Sequence, residues 1–142
     1  MPRCIGRTKG GLHSKLHAVC DDAGKPVHLL LTAGPLSDDT GARCLLPSLS
    51  NANHLIADRG NDADWFITAL KKQGVTPCIP PRKNRTTRRR YSKILYKQRH
   101  KIEIMFGRIK DWRRIAMRYD RGAHTVFSAI CLAATVIFYL KE

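Results

Sequence analysis

Residues 96–110, YKQRHKIEIMFGRIK, form the stretch that decides the fold of this sequence. Its apolar residues recur at helical spacing between strong helix formers, a pattern that predicts one long helix. At about 100° per residue, four polar side chains fall within roughly 60° of one another beside the apolar stripe. They are Tyr96, Arg99, Glu103 and Lys110. One helix edge thus carries a phenol, a guanidinium, a carboxylate and an ammonium, unless the four form only a solvated face with charge pairs.

The charge of the chain indicates the class of its partner. The 142 residues have the size of one domain, and 26 Lys and Arg against 11 Asp and Glu give a net charge of +15. Such an excess points to a polyanion such as DNA or RNA. Much of it lies in a basic loop at 82–91, whose cations are Arg82, Lys83, Arg85, Arg88, Arg89 and Arg90.

Other residue classes favour no competing kind of site. The five cysteines are widely spaced without a CxxC pair, which is typical of reduced thiols in a cytosolic protein. The six histidines are dispersed, so we expect them at the surface rather than at a metal. No signal peptide is visible, and the uncharged run Gly122–Leu140 favours a buried core helix over a membrane span. We therefore expect a cytoplasmic protein with no membrane partner.

The rest of the sequence predicts an α/β arrangement with a mixed sheet. Leu12–Cys20 alternates in polarity and Pro26–Thr32 is apolar, so the two predict a β-hairpin. Residues 1–11 are basic and Gly-rich, and are typical of a linker. The remaining predicted elements are a helix from Ser37 towards Leu49, a strand at 53–57, a helix at 63–73, a strand at 75–79, the basic loop, the long helix and an apolar C-terminal helix. This order predicts a single α/β domain.

Two carboxylates form a candidate metal site. Asp58 follows the strand predicted at 53–57, and Glu103 lies on the long helix. A layered α/β fold can bring them to one rim, because ligands bind at the carboxyl ends of strands. Mg²⁺ takes oxygen ligands, and phosphoryl transfer with two metals needs several converging carboxylates. Taken singly, Asp58 could be a turn residue and Glu103 could pair with Arg99 or Lys110.

Three segments carry a family resemblance. The first is IADRG at 56–60 with DAD at 62–64, and the second is IPPRKNR at 79–85. The third joins the spacing Tyr-x2-Arg-x3-Glu-x6-Lys over 96–110 to WRRIA at 112–116. Together they resemble the C-terminal part of bacterial insertion-sequence DDE transposases, over nearly the whole chain.

The resemblance implies a ribonuclease-H-like mixed sheet with flanking helices, in a metal-dependent enzyme that cleaves and joins DNA phosphodiesters. Asp58 and Glu103 would be the second and third acids of a catalytic triad that binds Mg²⁺ or Mn²⁺. Double-stranded DNA of the transposon ends and target would be the partner, in the nucleoid. Its phosphates would be contacted by the six cations of the basic loop and by Tyr96, Arg99, Lys110, Arg113 and Arg114.

Departures from the family pattern define further expectations. In the family the first catalytic Asp lies on the first strand, upstream of the hairpin, so we expect this chain to lack that strand and its acid. The two-metal site would then be incomplete and the chain inactive alone, unless an upstream transposase half or an oligomer supplies the acid. The Tyr that usually follows Asp-x-Gly is also replaced, by Asn61.

Two other functions are compatible with the sequence. A non-catalytic DNA-binding remnant, acting as a regulator of an intact transposase, explains both the charge excess and the missing acid. Binding that falls steeply with salt and ignores divalent metal would favour it. A basic RNA-binding protein of the ribosomal kind explains the charge, but leaves the Tyr-Arg-Glu-Lys spacing as a coincidence.

Overall fold

Five strands form one mixed sheet at the centre of the molecule. The computed structural model describes residues 2–11, 14–33, 38–85, 89–116, 130–131 and 133–140. The strands are β1 (Pro2–Gly11), β2 (Ser14–Cys20), β3 (Pro26–Ala33), β4 (His54–Ile56) and β5 (Thr76–Cys78). Their order is β3-β2-β1-β4-β5; the pairs among β1, β2 and β3 are antiparallel and the other two are parallel. The predicted α/β mixed sheet is confirmed.

The hairpin of β2 and β3 forms where its turn residues predict it. Asp21 Oδ1 accepts hydrogen bonds from the backbone N–H groups of Ala23 and Lys25, at 3.0 and 2.9 Å. Gly24 has a φ of +83°, in the left-handed region that glycine enters without strain. The local chemistry of the turn therefore sets the antiparallel pairing of the two strands.

The prediction that residues 1–11 form a linker is wrong, because they form β1, the central strand. Cys4 and Ile5 are buried on opposite faces of the sheet. A central strand that is covered on both faces shows no polar alternation, and its pairing with β2 and β4 outweighs its Gly-rich composition. The sheet therefore does not lack its first strand. The strand in that place, PRCIGRTKGG, contains no Asp or Glu.

The helices pack on the two faces of the sheet. They are α1 (Asp38–Leu45), α2 (Asp64–Lys72), α3 (Lys93–Tyr96) and α4 (His100–Ala116). Turns of 3₁₀ helix lie at Leu46–Leu49, Arg59–Asn61 and Lys97–Arg99, and a π-helical turn lies at Val136–Leu140. The single helix predicted over 96–110 is thus the end of α3, a tight turn and α4 in succession.

Alternate residues along the strands supply two hydrophobic cores. Leu16 and Ile56 belong to one core with Ile102 and Met105 of α4 and with the C-terminal helical segment. Leu55 belongs to a second core on the opposite face, with the buried residues of α1 and α2. Because successive strand residues point to opposite faces, the parity of a residue decides which helices it meets. The face of Ile56 is the one covered by α4.

His17 contradicts the expectation that the histidines lie at the surface. It is buried on β2, and its Nε2 lies 2.8 Å from Thr32 Oγ1 on β3. A Cβ added at Gly41 of α1 would lie 2.3 Å from its Nδ1. The imidazole is therefore a packed, hydrogen-bonded part of the core between β2, β3 and α1, because the hydroxyl satisfies its polar atom.

The C-terminal segment is described in part. Of the predicted core helix Gly122–Leu140, residues 122–129 and 132 lie outside the described residues. The described part is helical, and Ile130, Ala133 and Ile137 are buried in it. Within the described ranges, no helix has the length and apolar content needed to cross a membrane.

Candidate functional site

Asp58 is fixed at the carboxyl end of β4 by the turn that follows it. Its Oδ1 accepts hydrogen bonds from the backbone N–H of Gly60 at 3.0 Å and from the side-chain amide of Asn61 at 3.2 Å. Its backbone is extended, so the alternation of the strand continues and its side chain shares the face of Ile56, towards α4. The turn occupies one carboxylate oxygen and leaves Oδ2 for other partners.

A single guanidinium joins the two predicted acids. Arg99 Nη1 donates a hydrogen bond to Glu103 Oε1 at 2.6 Å, across one helical turn. Arg99 Nη2 lies 3.4 Å from Asp58 Oδ2, at the end of β4. The side chains of Glu103 and Asp58 are 61% and 28% exposed, so the group faces solvent at the rim of the sheet. The fold thus brings together two acids that are distant in sequence.

Strand β1 contributes a cation, not an acid, to this rim. Arg7 Nη1 lies 3.7 Å from Asp58 Oδ2. Continuing the parallel register of β1 and β4 by two residues places Gly6 level with Asp58. A Cβ at Gly6 would lie 3.1 Å from Ile102, so the absence of a side chain lets α4 approach β1 closely. Among the described residues, no three His, Cys, Asp or Glu side chains form a group that could hold a metal ion.

Two tyrosines border the acid pair. Burial raises the pKa of Tyr96, the nearby Arg99 opposes this and Asp58 adds to it, so the phenol stays protonated at neutral pH. The rings of Tyr96 and Tyr91 meet edge to face, with centroids 5.6 Å apart. Tyr91 also lines a cleft of about 370 Å³, together with Arg59, Pro80, Pro81, Arg89, Arg90 and Lys93. This cleft next to Asp58 is therefore basic and contains no acid.

Lys110, the last residue of the Tyr-Arg-Glu-Lys spacing, lies at a distance from the acid pair. It lies on α4 seven residues after Glu103, which is about 10 Å along the helix axis at 1.5 Å per residue. The side chain is partly exposed and has no hydrogen-bond or ion-pair partner within the described part of the chain.

An ion-pair cluster that the sequence analysis missed anchors the basic loop. The side chain of Asp62 is buried, and its Oδ2 accepts hydrogen bonds from the backbone N–H of Arg82 at 2.7 Å and from Arg85 Nε at 2.8 Å. Its Oδ1 accepts from Arg89 Nη2 at 2.9 Å. Burial raises the pKa of Asp62, but these donors outweigh that effect and hold it below its usual range. In the sequence, Asp62 is visible only as the first acid of the DAD motif, about 20 residues before its arginine partners.

The cluster divides the predicted DNA-binding cations into two groups. Arg85 and Arg89 are bound to Asp62, and Arg82 donates from Nη2 to the Gly60 carbonyl at 2.8 Å. These three side chains hold the loop against the turn after β4. Arg85 and Arg89 are paired with acids, whereas Arg82 is bound to a neutral carbonyl and has no described counter-ion.

The other predicted DNA contacts differ in how they are placed. Lys83 and Arg90 are exposed, and neither has a hydrogen-bond or ion-pair partner among the residues that the structure describes. Arg88 lies outside those residues. Arg113 and Arg114 are described only as backbone of α4.

The sheet order and the acid pair define a class of protein. Three antiparallel strands followed by two parallel ones, with an acid after β4 facing a helix that carries a second acid, are typical of a domain with the ribonuclease-H-like fold. The catalytic core domain of BIV integrase has a similar structure. The match covers 99% of this chain and 85% of the integrase chain, with a TM-score of 0.67 and a sequence identity of 16%. A second similar structure is a chain of the simian T-cell lymphotropic virus intasome, solved in complex with PP2A regulatory subunit B56 gamma. The match covers 99% of this chain and 49% of that chain, with a TM-score of 0.66 and a sequence identity of 12%. At these identities the likeness shows the fold alone.

Sequence comparison identifies the family within this class. A family model described as "Transposase DDE domain" matches residues 55–140. The transposase for insertion sequence element IS6501 of Brucella ovis is 35% identical over 129 residues, which cover 88% of this chain and 97% of that protein. The one for IS402 of Burkholderia cepacia is 28% identical over 133 residues, and the match covers 86% of this chain and 60% of that protein. The chain belongs to the DDE transposases of bacterial insertion sequences.

Membership of this family sets the general function. The chain belongs to a family of nucleotidyl-transfer enzymes that act in DNA transposition. The family generally uses divalent metal ions.

Proposed function

We propose that this chain supplies two of the acids, Asp58 and Glu103, that bind divalent metal for the cleavage and joining of DNA phosphodiesters. The observation that carries the proposal is the Arg99 guanidinium between the two carboxylates, at 3.4 and 2.6 Å. It supports a site that concentrates negative charge at the end of a strand, where α/β folds bind their ligands.

The residues present fit a hard divalent ion. Asp58 Oδ2 and Glu103 Oε1 are oxygen ligands; Arg7 and Arg99 lie near the first, and Arg99 is bound to the second. Mg²⁺ in proteins is commonly held by one or two carboxylates, with water and substrate phosphate completing its octahedron. The exposed carboxylate of Glu103 leaves room for those additional ligands. A second ion would need carboxylates beyond the two that converge here.

Five polar residues are proposed to have parts in the reaction. A divalent metal held by the two acids would supply activation of a water or a DNA 3′-hydroxyl for in-line attack on the phosphodiester. Asp58 and Glu103 hold the ions, while Arg99 and Lys110 bind phosphate oxygens on which negative charge develops. Tyr96 keeps its proton and donates a hydrogen bond to the DNA backbone.

The basic surface beside the acids is proposed to bind duplex DNA. Lys83 and Arg90 are exposed on the basic loop, and Arg90 lines a cleft together with Arg59 and Lys93. Arg88, Arg113 and Arg114 are proposed to contact the same DNA. Contacts of this kind give affinity and salt dependence more than sequence preference.

The proposed site needs a third carboxylate. No residue of β1 is acidic, and Arg7 lies near Asp58 instead. We propose that an upstream transposase segment or a second subunit supplies the missing acid, so that the chain acts in an assembly on DNA in the nucleoid. The chain alone is then expected to be inactive or nearly so.

Plasmid nicking with Mn²⁺ tests the proposal, with Mn²⁺ binding by calorimetry as the companion measurement. Asp58→Asn and Glu103→Gln are compared with Asp64→Asn, a matched acid that is 86% exposed and lies outside the site. We expect Mn²⁺ binding to be lost in the first two variants and kept in the third. Any nicking, by the chain alone or with the rest of its transposase, should follow the same pattern. Nicking and metal binding that survive both substitutions would show that the site lies elsewhere.

A second candidate function is regulation of an intact transposase by DNA binding alone. The observation that favours it is the pair of guanidinium groups at Asp58, because Arg7 and Arg99 neutralise the acid that a metal would need. DNA affinity that falls steeply with salt and is the same with Mn²⁺ or with a chelator would support this function. Affinity that rises with Mn²⁺ would support the catalytic one.

A further inference from the structure

We infer that Arg99 is a positioning residue that occupies the place of a metal ion between Asp58 and Glu103 and is released to DNA phosphate when the ion binds. Metal binding and DNA binding are then coupled through one side chain. This inference rests on the proposed function. It adds that Arg99 contacts the two acids first and DNA phosphate only after the metal ion has bound.

The first step is competition for the same atoms. Asp58 Oδ1 is held by Gly60 and Asn61, so Oδ2 is the oxygen that remains for a cation. Arg99 Nη2 lies 3.4 Å from that oxygen, and Arg99 Nη1 lies 2.6 Å from Glu103 Oε1. Asp58 Oδ2 is therefore the atom for which a metal ion and the guanidinium would compete, and the guanidinium also occupies one of the two oxygens of Glu103. A metal ion there would add to the positive charge of Arg99 and of Arg7, whose Nη1 already lies 3.7 Å from the same oxygen, and like charges at such distances repel one another.

The second step is the ease of release. The described contacts of the Arg99 side chain are both at its tip, and its buried Nε has no hydrogen-bond partner in the described structure. Glu103 is mostly exposed, and ion pairs in such a setting are weak and screened by salt. A divalent ion with two carboxylate ligands can therefore displace the guanidinium.

The third step is the fate of the released guanidinium. Its planar fork matches the oxygens of a phosphate, whereas beside a bound divalent ion it is repelled. DNA phosphate removes that repulsion. Metal and DNA should therefore strengthen each other's binding by the same factor, since such coupling is reciprocal.

Calorimetric titration of Mn²⁺ into the purified chain tests the inference. Without DNA, Arg99→Gln should bind Mn²⁺ about three- to thirtyfold more tightly than the wild type, because one partly buried and one exposed ion pair no longer oppose the ion. Arg99→Lys should fall between them, since one ammonium cannot bridge both acids as the fork does. Lys97→Gln, which removes an exposed cation of the preceding turn, should leave the affinity unchanged. A short duplex of random sequence should raise the Mn²⁺ affinity of the wild type more than that of Arg99→Gln.

The opposite result distinguishes the inference from the proposed function. If Arg99 only supports the fold locally, Arg99→Gln will bind Mn²⁺ as weakly as the wild type or more weakly, and the inference is overturned. If in addition Glu103→Gln abolishes binding, the proposed metal site stands without this coupling. If neither the wild type nor Arg99→Gln binds Mn²⁺, both the inference and the proposed site are wrong.

Discussion

Replacing Asp62 with alanine should destabilise the chain by about 2–4 kcal/mol. The carboxylate is buried and accepts hydrogen bonds from the Arg82 backbone, Arg85 and Arg89, at 2.7, 2.8 and 2.9 Å. Its removal leaves a backbone donor without its partner and two cations without their counter-ion. The largest costs known for broken buried pairs do not apply, because the Arg85 and Arg89 side chains are 23% and 19% exposed and can turn to water.

The matched control for this prediction is Asp64→Ala. Its carboxylate binds the same Arg85, at 2.8 Å, but is exposed, so its loss should change stability by no more than about 0.5 kcal/mol. Urea unfolding followed by circular dichroism measures both variants under one linear extrapolation. Trypsin should also cut the basic loop faster in Asp62→Ala than in the control. Equal urea midpoints for the two variants would refute the anchoring role of Asp62.

Three further predictions concern pH, DNA and packing. Because the fold lowers the pKa of Asp62, the ionised carboxylate stabilises the fold above about pH 4, and this stabilisation is lost as the pH falls below that value. Acid should therefore lower the urea midpoint of the wild type more than that of Asp62→Ala. In a filter-binding titration, the double variant Lys83→Ala/Arg90→Ala should reduce the slope of log affinity for DNA against log salt concentration by up to about 0.9 per lost contact. The reduction should be the same for DNA of unrelated sequences. An unchanged slope would show that these two residues do not contact DNA. Gly41→Ala should cost at least about 2 kcal/mol in urea unfolding, because its Cβ would lie 2.3 Å from the buried His17 ring, whereas Gly107→Ala, with open space on α4, should gain roughly 0.5–1 kcal/mol.

Asp58 and Glu103 could be singled out from the sequence because both acids occur in local patterns. Asp58 ends a short apolar run, and Glu103 follows Arg99 at the spacing of one helical turn. Local patterns also specify the hairpin, since its turn is built from the side chain of Asp21 and from Gly24. The bridge from Arg99 to Asp58 is less local, because it depends on how closely α4 approaches β4 across the sheet.

Features that depend on distant partners could not be predicted in the same way. PRCIGRTKGG has neither alternation nor an apolar run, and it forms β1 because strands lie on both sides of it. Arg85 and Arg89 of the basic loop are bound internally because of the position of Asp62, which composition does not reveal. His17 is polar on an alternating strand, and its place in the core depends on close packing against Gly41 and a hydrogen bond with Thr32.

Iron-directed cleavage of the polypeptide tests the central claim, that Asp58 and Glu103 bind one divalent ion. Fe²⁺ in such a site, with ascorbate and peroxide, produces hydroxyl radicals that cut the backbone next to the ion. The account predicts cuts near Asp58 and near Glu103, suppressed by excess Mn²⁺, absent from Glu103→Gln and retained in Asp64→Asn. Cuts confined to other parts of the chain, or cuts at these places that persist in Glu103→Gln, would contradict it.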